Sequence, residues 1–132
     1  TDVRRENALA EGELITEIIV PAPARGATSA YIKQGEKESY DWPLAEVAVV
    51  LEQEAGTCKR ASIVLGAAAP VPHRAKAAEA ALTGRRIDDA AVQAAARAAV
   101  ESATPLAQNA HKLQLFQTIV RRTILAARGS AS

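Results

Sequence analysis

The chain has 132 residues and a mass of 13.8 kDa, room for one domain of ordinary size and little for a second. Apolar residues make up 48% and charged residues 23%, which excludes wholesale disorder, collagen and coiled coil. With 16 Lys plus Arg against 15 Asp plus Glu, the net charge of +1 is too even for the basic footprint of a dedicated nucleic-acid binder.

No run approaches the ~18 consecutive apolar residues of a membrane span, and no basic stretch with a following apolar one opens the chain, so a cytoplasmic location is expected. Thr1 opens the sequence in place of Met and residues 128–132 taper into a small polar tail, as in a piece of a longer polypeptide. Residues 14–20, LITEIIV, are rich in β-branched side chains and stop at Pro21 and Pro23, where proline removes ladder donors; they read as a first strand. After a turn at Gly26, residues 28–34 read as a second strand, followed by a charged turn at 35–39. Residues 45–53 alternate, with Val47, Val49 and Leu51 facing one way and Glu46, Ala48, Val50 and Glu52 the other. Residues 54–57 suit a hairpin loop, and 59–65 return with Ala61, Ile63 and Leu65 on one face, so the third and fourth strands should pair antiparallel.

The period changes after Pro70 and Pro72. Residues 73–83 are Ala-rich and helical, ending at Gly84, which suits a left-handed C-cap. Asp88 suits the N-cap of a second helix reaching about residue 102, with Val92, Ala96, Ala99 and Val100 on one stripe. A third helix spans about 107–127, carrying Leu113, Phe116, Val120, Ile124 and Ala127. Strands first and helices last predict a segregated α+β domain: a small antiparallel sheet of three to four strands packed by three helices.

His73 and His111 lack the short spacing of zinc ligands, and the lone Cys58 sits in a hairpin arm with no oxyanion-type motif beside it; no metal site and no catalytic cysteine are predicted. The glycines form neither of the familiar phosphate-binding patterns. Alternation puts Tyr31 and Lys33 on one face of the second strand with Ile32 behind them. Taken alone, that pair suits a Lys lying along apolar surface beside an edge Tyr. Trp42 suits the edge of the core, with Asp41 accepting turn hydrogen bonds.

Five stretches in order nevertheless resemble one family. They are residues 12–18 through Val20-Pro21; Ser29-Ala30-Tyr31-Ile32-Lys33; Asp41-Trp42-Pro43-Leu44-Ala45 leading to Val47-Ala48-Val49; Arg60 through Leu65-Gly66 and Pro70-Val71-Pro72-His73-Arg74 to Glu79, Leu82 and Gly84; and Pro105-Leu106 through Asn109 and Lys112. Together they resemble the C-terminal domain of the FAD-binding medium subunit of molybdenum hydroxylases, the xanthine dehydrogenase and carbon monoxide dehydrogenase group.

The resemblance implies part of an FAD-dependent oxidoreductase. Electrons from a molybdenum cofactor on a large subunit cross iron-sulfur clusters on a small subunit and reach FAD, which a preceding N-terminal domain mainly holds. The family's apolar pair falls on Leu14 and Ile15, and its flavin-neighbouring lysine on Lys33. Such a cation would stabilise negative charge on the reduced ring, and an apolar neighbour would limit water access. Two positions depart from the family: Lys37 stands where Arg is common, losing the bidentate fork, and His111 stands where Tyr is common. The isolated chain is expected to complete no reaction. The alternative is a stand-alone protein-interaction module without cofactor.

Overall fold

The alternation of residues 45–53 becomes a strand with two unlike faces. β1 (Thr28–Gln34), β2 (Ala45–Glu54), β3 (Thr57–Gly66) and β4 (His73–Arg74) form one antiparallel sheet, each strand beside the one before it in the chain. The structure, a computed structural model, describes residues 7–37 and 40–129. Ala45, Val47, Val49 and Leu51 of β2 and Ala61, Ile63 and Leu65 of β3 are buried on the inner face. The hairpin between them closes through Ala55 and Gly56, both at positive φ (48° and 77°), a two-residue turn whose twist matches the strands. The tight turn lets β3 begin at Thr57, earlier than the expected 59.

Three helices cover the inner face: α1 (Lys76–Leu82), α2 (Asp89–Ala98) and α3 (His111–Arg128). α3 lies along β1 and β2, α1 along β3, and α2 against both other helices. Val92, Phe116, Ile119, Val120 and Ile124 meet Leu51, Ile63 and Leu82 in one core, each buried side chain contributing about 1.5–3 kcal/mol against exposure. Ala78, Ala91, Ala95 and Ala96 are buried as well, so small side chains bring the helices close. Asp88 caps α2, its carboxylate accepting from the Ala91 N–H at 2.8 Å, and Gly84 at φ 79° follows the last residues of α1, both as the sequence predicts.

The expected strand at 14–20 is absent. That stretch joins no strand of the sheet, and Leu14, Ile15, Ile18, Ile19 and Val20 are 65–85% exposed. β-branched residues suit a pleated surface, but a strand also needs a neighbour to take its N–H and C=O groups, and the stretch pairs with none among the described residues. Four strands form all the same, because His73 and Arg74, expected in the first helix, pair with Leu65 and Val64 as β4. The Ala75 N–H still donates to Ile63 O at 2.9 Å, so the chain coils only from Lys76.

The other helix ends are shorter than the periodicity implies. Beyond Ala98, bonds from Val100 N to Arg97 O and Glu101 N to Ala98 O close three-residue turns, and residues 107–110 precede α3 as turns. Such turns keep nearly the same face as an α-helix, so an apolar stripe runs on past the true end. Trp42, read as a core edge, is 94% exposed on the loop before β2. Asp41 forms an ion pair with Lys37 at 3.2 Å. Glu38 and Ser39 of the expected charged turn, and the tail from 130 onward, lie outside the described residues.

Candidate functional site: the outer face of the sheet

The pleat sends Ser29, Tyr31 and Lys33 of β1 to the face opposite the helices. Register then decides their neighbours. Tyr31 stands across from Ala48 and Lys33 across from Glu46, while on the far side of β2 Val64 faces Ala48 and Gly66 faces Glu46. The face is open, with Tyr31 59% and Val50 42% exposed.

Glu46 organises it. The Tyr31 hydroxyl donates to Glu46 Oε2 at 2.5 Å. A Cβ built on Gly66 would come within 2.2 Å of Glu46 Oε1, so the glutamate side chain lies directly over that glycine, and the strand opposite can carry no larger residue without moving it. The hydrogen bond to Glu46, then burial and the carboxylate's charge, push the Tyr31 phenol above its ordinary pKa. Glu46, Lys33 and the Tyr31 ring therefore share one end of an open face whose other end carries the Glu52–Arg60 ion pair at 3.3 Å.

Lys33 is thus presented on the open face as alternation requires. Leu14 and Ile15 lie outside the sheet, 85% and 65% exposed. Glu46 is not among the residues that the sequence singles out. Its outward direction was legible from the alternation, but its place opposite Lys33 depends on the β1–β2 register.

The remaining titratable groups serve elsewhere. Cys58 is buried in β3, and burial pushes its thiol up, away from the nucleophilic thiolate. Glu79 of α1 is structural: Oε1 accepts from the Ile63 N–H at 2.9 Å and from Arg74 Nε at 2.8 Å, and Oε2 accepts from Arg74 Nη2 at 3.1 Å. The N–H and C=O of an antiparallel residue point to one side; at Ile63, Ala75 takes the C=O and Glu79 the N–H, finishing the edge that β4 leaves incomplete. His73 ends in β4 and His111 opens α3, both exposed.

A four-stranded antiparallel sheet with three helices on one face and an open Tyr-Lys-Glu strip on the other defines an α+β domain whose outer face is its chemically distinctive surface. The chain belongs to the CO dehydrogenase flavoprotein C-terminal domain family, whose profile matches residues 29–127. It is 37% identical over 123 residues to the carbon monoxide dehydrogenase medium chain of Hydrogenophaga pseudoflava, covering 90% of this chain and 42% of that one. It is 31% identical over 126 residues to the aldehyde oxidoreductase FAD-binding subunit PaoB of Escherichia coli, covering 96% of this chain and 36% of that one.

Among solved structures, carbon monoxide dehydrogenase from Hydrogenophaga pseudoflava lacking the Mo-pyranopterin moiety superposes with TM-score 0.76 at 39% identity, over 82% of this chain and 39% of that one. Quinoline 2-oxidoreductase from Pseudomonas putida 86 gives TM-score 0.75 at 29% identity, over 83% and 39%. The chain spans less than half the length of these relatives. Among the described residues, no helix is long and apolar enough to cross a membrane.

Proposed function

We propose that the chain is the C-terminal domain of an FAD-binding medium subunit in a molybdenum hydroxylase, and that the outer sheet face around Lys33 closes against the flavin. Its neighbours would be the N-terminal FAD-binding domain of the same subunit, an iron-sulfur small subunit and a molybdenum large subunit, in the cytoplasm. Family membership supports the first part, and the open strip of Tyr31, Lys33 and Glu46 is the observation that carries the second.

The fit to FAD is partial and specific. Ala48 and Gly66 keep the sheet surface low, Tyr31 and Val50 offer exposed aromatic and apolar area, and Lys33 adds a cation, a set suited to one edge of a planar ring. The chain has no glycine pattern for a diphosphate, so that grip would come from the N-terminal domain. Bound FAD would supply the electron-accepting chemistry. Lys33 would favour negative charge on the reduced ring, Tyr31 would orient the Glu46 carboxylate beside the amine, and Leu14 and Ile15, exposed and unpaired, would become the apolar cover once the N-terminal domain gives their stretch a surface.

In the full-length FAD-loaded subunit, Lys33→Met is expected to move the flavin midpoint potential to more negative values and to weaken FAD retention. Lys76→Met, on α1 away from the outer face, serves as reference. Equal and negligible effects of both would remove Lys33 from the flavin's surroundings. The family assignment disfavours the stand-alone interaction module, since it embeds this fold in longer flavoprotein subunits.

A further inference from the structure

The ladder brings Lys33 and Glu46 closer than a shared face alone requires. Ile63 gives its N–H to Glu79 Oε1 and its C=O takes the Ala75 N–H, so both groups point away from β2. Its cross-strand partner Val49 therefore turns its own groups to β1 and Ala30, and the alternation leaves Tyr31 opposite Ala48 and Lys33 opposite Glu46 as pairs without mutual backbone bonds. In such pairs the Cα atoms stand about 4.5 Å apart and the side chains are at their closest.

Two features then fix the Glu46 carboxylate. Its Oε1, Cγ and Cδ atoms occupy the space where a Cβ on Gly66 would stand, so the side chain lies down in a recess that a glycine leaves. The Tyr31 hydroxyl donates to Oε2 at 2.5 Å. A lysine carries its charge on a flexible four-carbon stem, whereas a carboxylate held by a recess and a hydroxyl keeps its place. A charge already in place acts on a group taking up electrons without reorganising first. Lys33 and Glu46 have opposite signs, so they push such a group in opposite directions.

We propose that Glu46 is a second determinant of the flavin potential in the full-length subunit: its pinned carboxylate opposes electron uptake by the ring and offsets part of what Lys33 contributes. The inference rests on the outer face being the flavin's surface. The Tyr31 hydroxyl and the Gly66 recess serve Glu46 by position, keeping its charge on the face and out of the surrounding water. The potential of the site is then a difference between two charges of this chain, lower than Lys33 alone would set it.

The test is the midpoint potential of FAD bound to the full-length subunit, read by spectroelectrochemistry. Glu46→Gln keeps a carbonyl oxygen to accept from Tyr31 and removes the charge; it is expected to move the potential to more positive values, opposite in sign to Lys33→Met. Glu46→Asp keeps the charge and should stay closer to the parent. Glu101→Gln, exposed just beyond α2 on the helical side, removes an equal charge and should leave the potential unchanged. A shift in Glu46→Gln no larger than in Glu101→Gln overturns the inference, as does Glu46→Asp moving the potential as far as Glu46→Gln. If Lys33→Met still shifts the potential in either case, the flavin reading stands. No shift in Lys33→Met or in Glu46→Gln overturns both.

Discussion

The Tyr31 hydroxyl donates to Glu46 across the β1–β2 ladder, two residues along from the position where Lys33 stands opposite the same glutamate. Glu46 therefore serves the aromatic ring and faces the cation at once, while its side chain overlies Gly66 on the next strand. A change at any of these positions is felt by the others.

The first consequence is a titration. With Tyr40→Phe as background, Tyr31 is the single tyrosine of the chain, and its phenolate absorbance should appear above the ordinary tyrosine pKa of about 10. Glu46→Gln removes the carboxylate that holds the proton and should bring the midpoint back toward 10. An unchanged midpoint would show that Glu46 is not the partner in solution.

Gly66→Ala should have a related effect without altering any charge. The new methyl occupies the space of the Glu46 carboxylate and must displace that flexible side chain. The expected result is a Tyr31 midpoint lowered toward the value in Glu46→Gln, with the fold retained.

Glu79 predicts the acid limb of stability. Burial alone would raise its pKa, but Arg74 and the Ile63 N–H hold the carboxyl below the usual glutamate range. Its folded pKa lies below its unfolded one, so the stabilisation is complete above the unfolded pKa of about 4.3 and fades as pH falls through the folded value. Denaturant midpoints measured from pH 7 down to acid should fall for the parent chain and fall less steeply for Glu79→Gln, which starts lower at neutral pH.

Ala55 holds φ 48° in the hairpin turn, a conformation costly for a residue with a Cβ. Ala55→Gly should stabilise the chain by up to about 1 kcal/mol, a rise of a few degrees in Tm, and Ala55→Val should lower it. Thermal melts followed by circular dichroism decide this.

The exposed stretch gives a contrast within one chain. Ile18→Ser with Ile19→Ser should change stability by less than about 0.5 kcal/mol, because both side chains are already in water. Ile63→Ala, which empties a fully buried site, should cost about 2–5 kcal/mol. Comparable losses from the two would show that 14–20 packs on the domain after all.

Where the residues spoke about themselves, they were legible. The buried face of β2, the Asp88 cap, the glycine after α1, the stripe of α3 and the shared face of Tyr31 and Lys33 each follow from a period or a local hydrogen bond. Residues 14–20 failed for the opposite reason: LITEIIV carries every internal mark of a strand, yet whether it is one depends on a neighbour elsewhere. His73 and Arg74 erred the other way, drawn from a helical pattern into β4 by the open edge of β3.

By itself, then, the sequence determined which segments could be strands or helices, which face of each is apolar, where Asp88 starts α2 and where Gly84 follows α1, because these depend on side-chain period and on groups within a turn or two. Only the tertiary structure decided that Glu46 stands opposite Lys33 and over Gly66, that Glu79 completes the edge of β3, and that Lys112 of α3 donates to the Ala67 carbonyl. Those relations are set by register and by the packing of segments far apart in the chain, and a pairing energy exists only once both partners are in place.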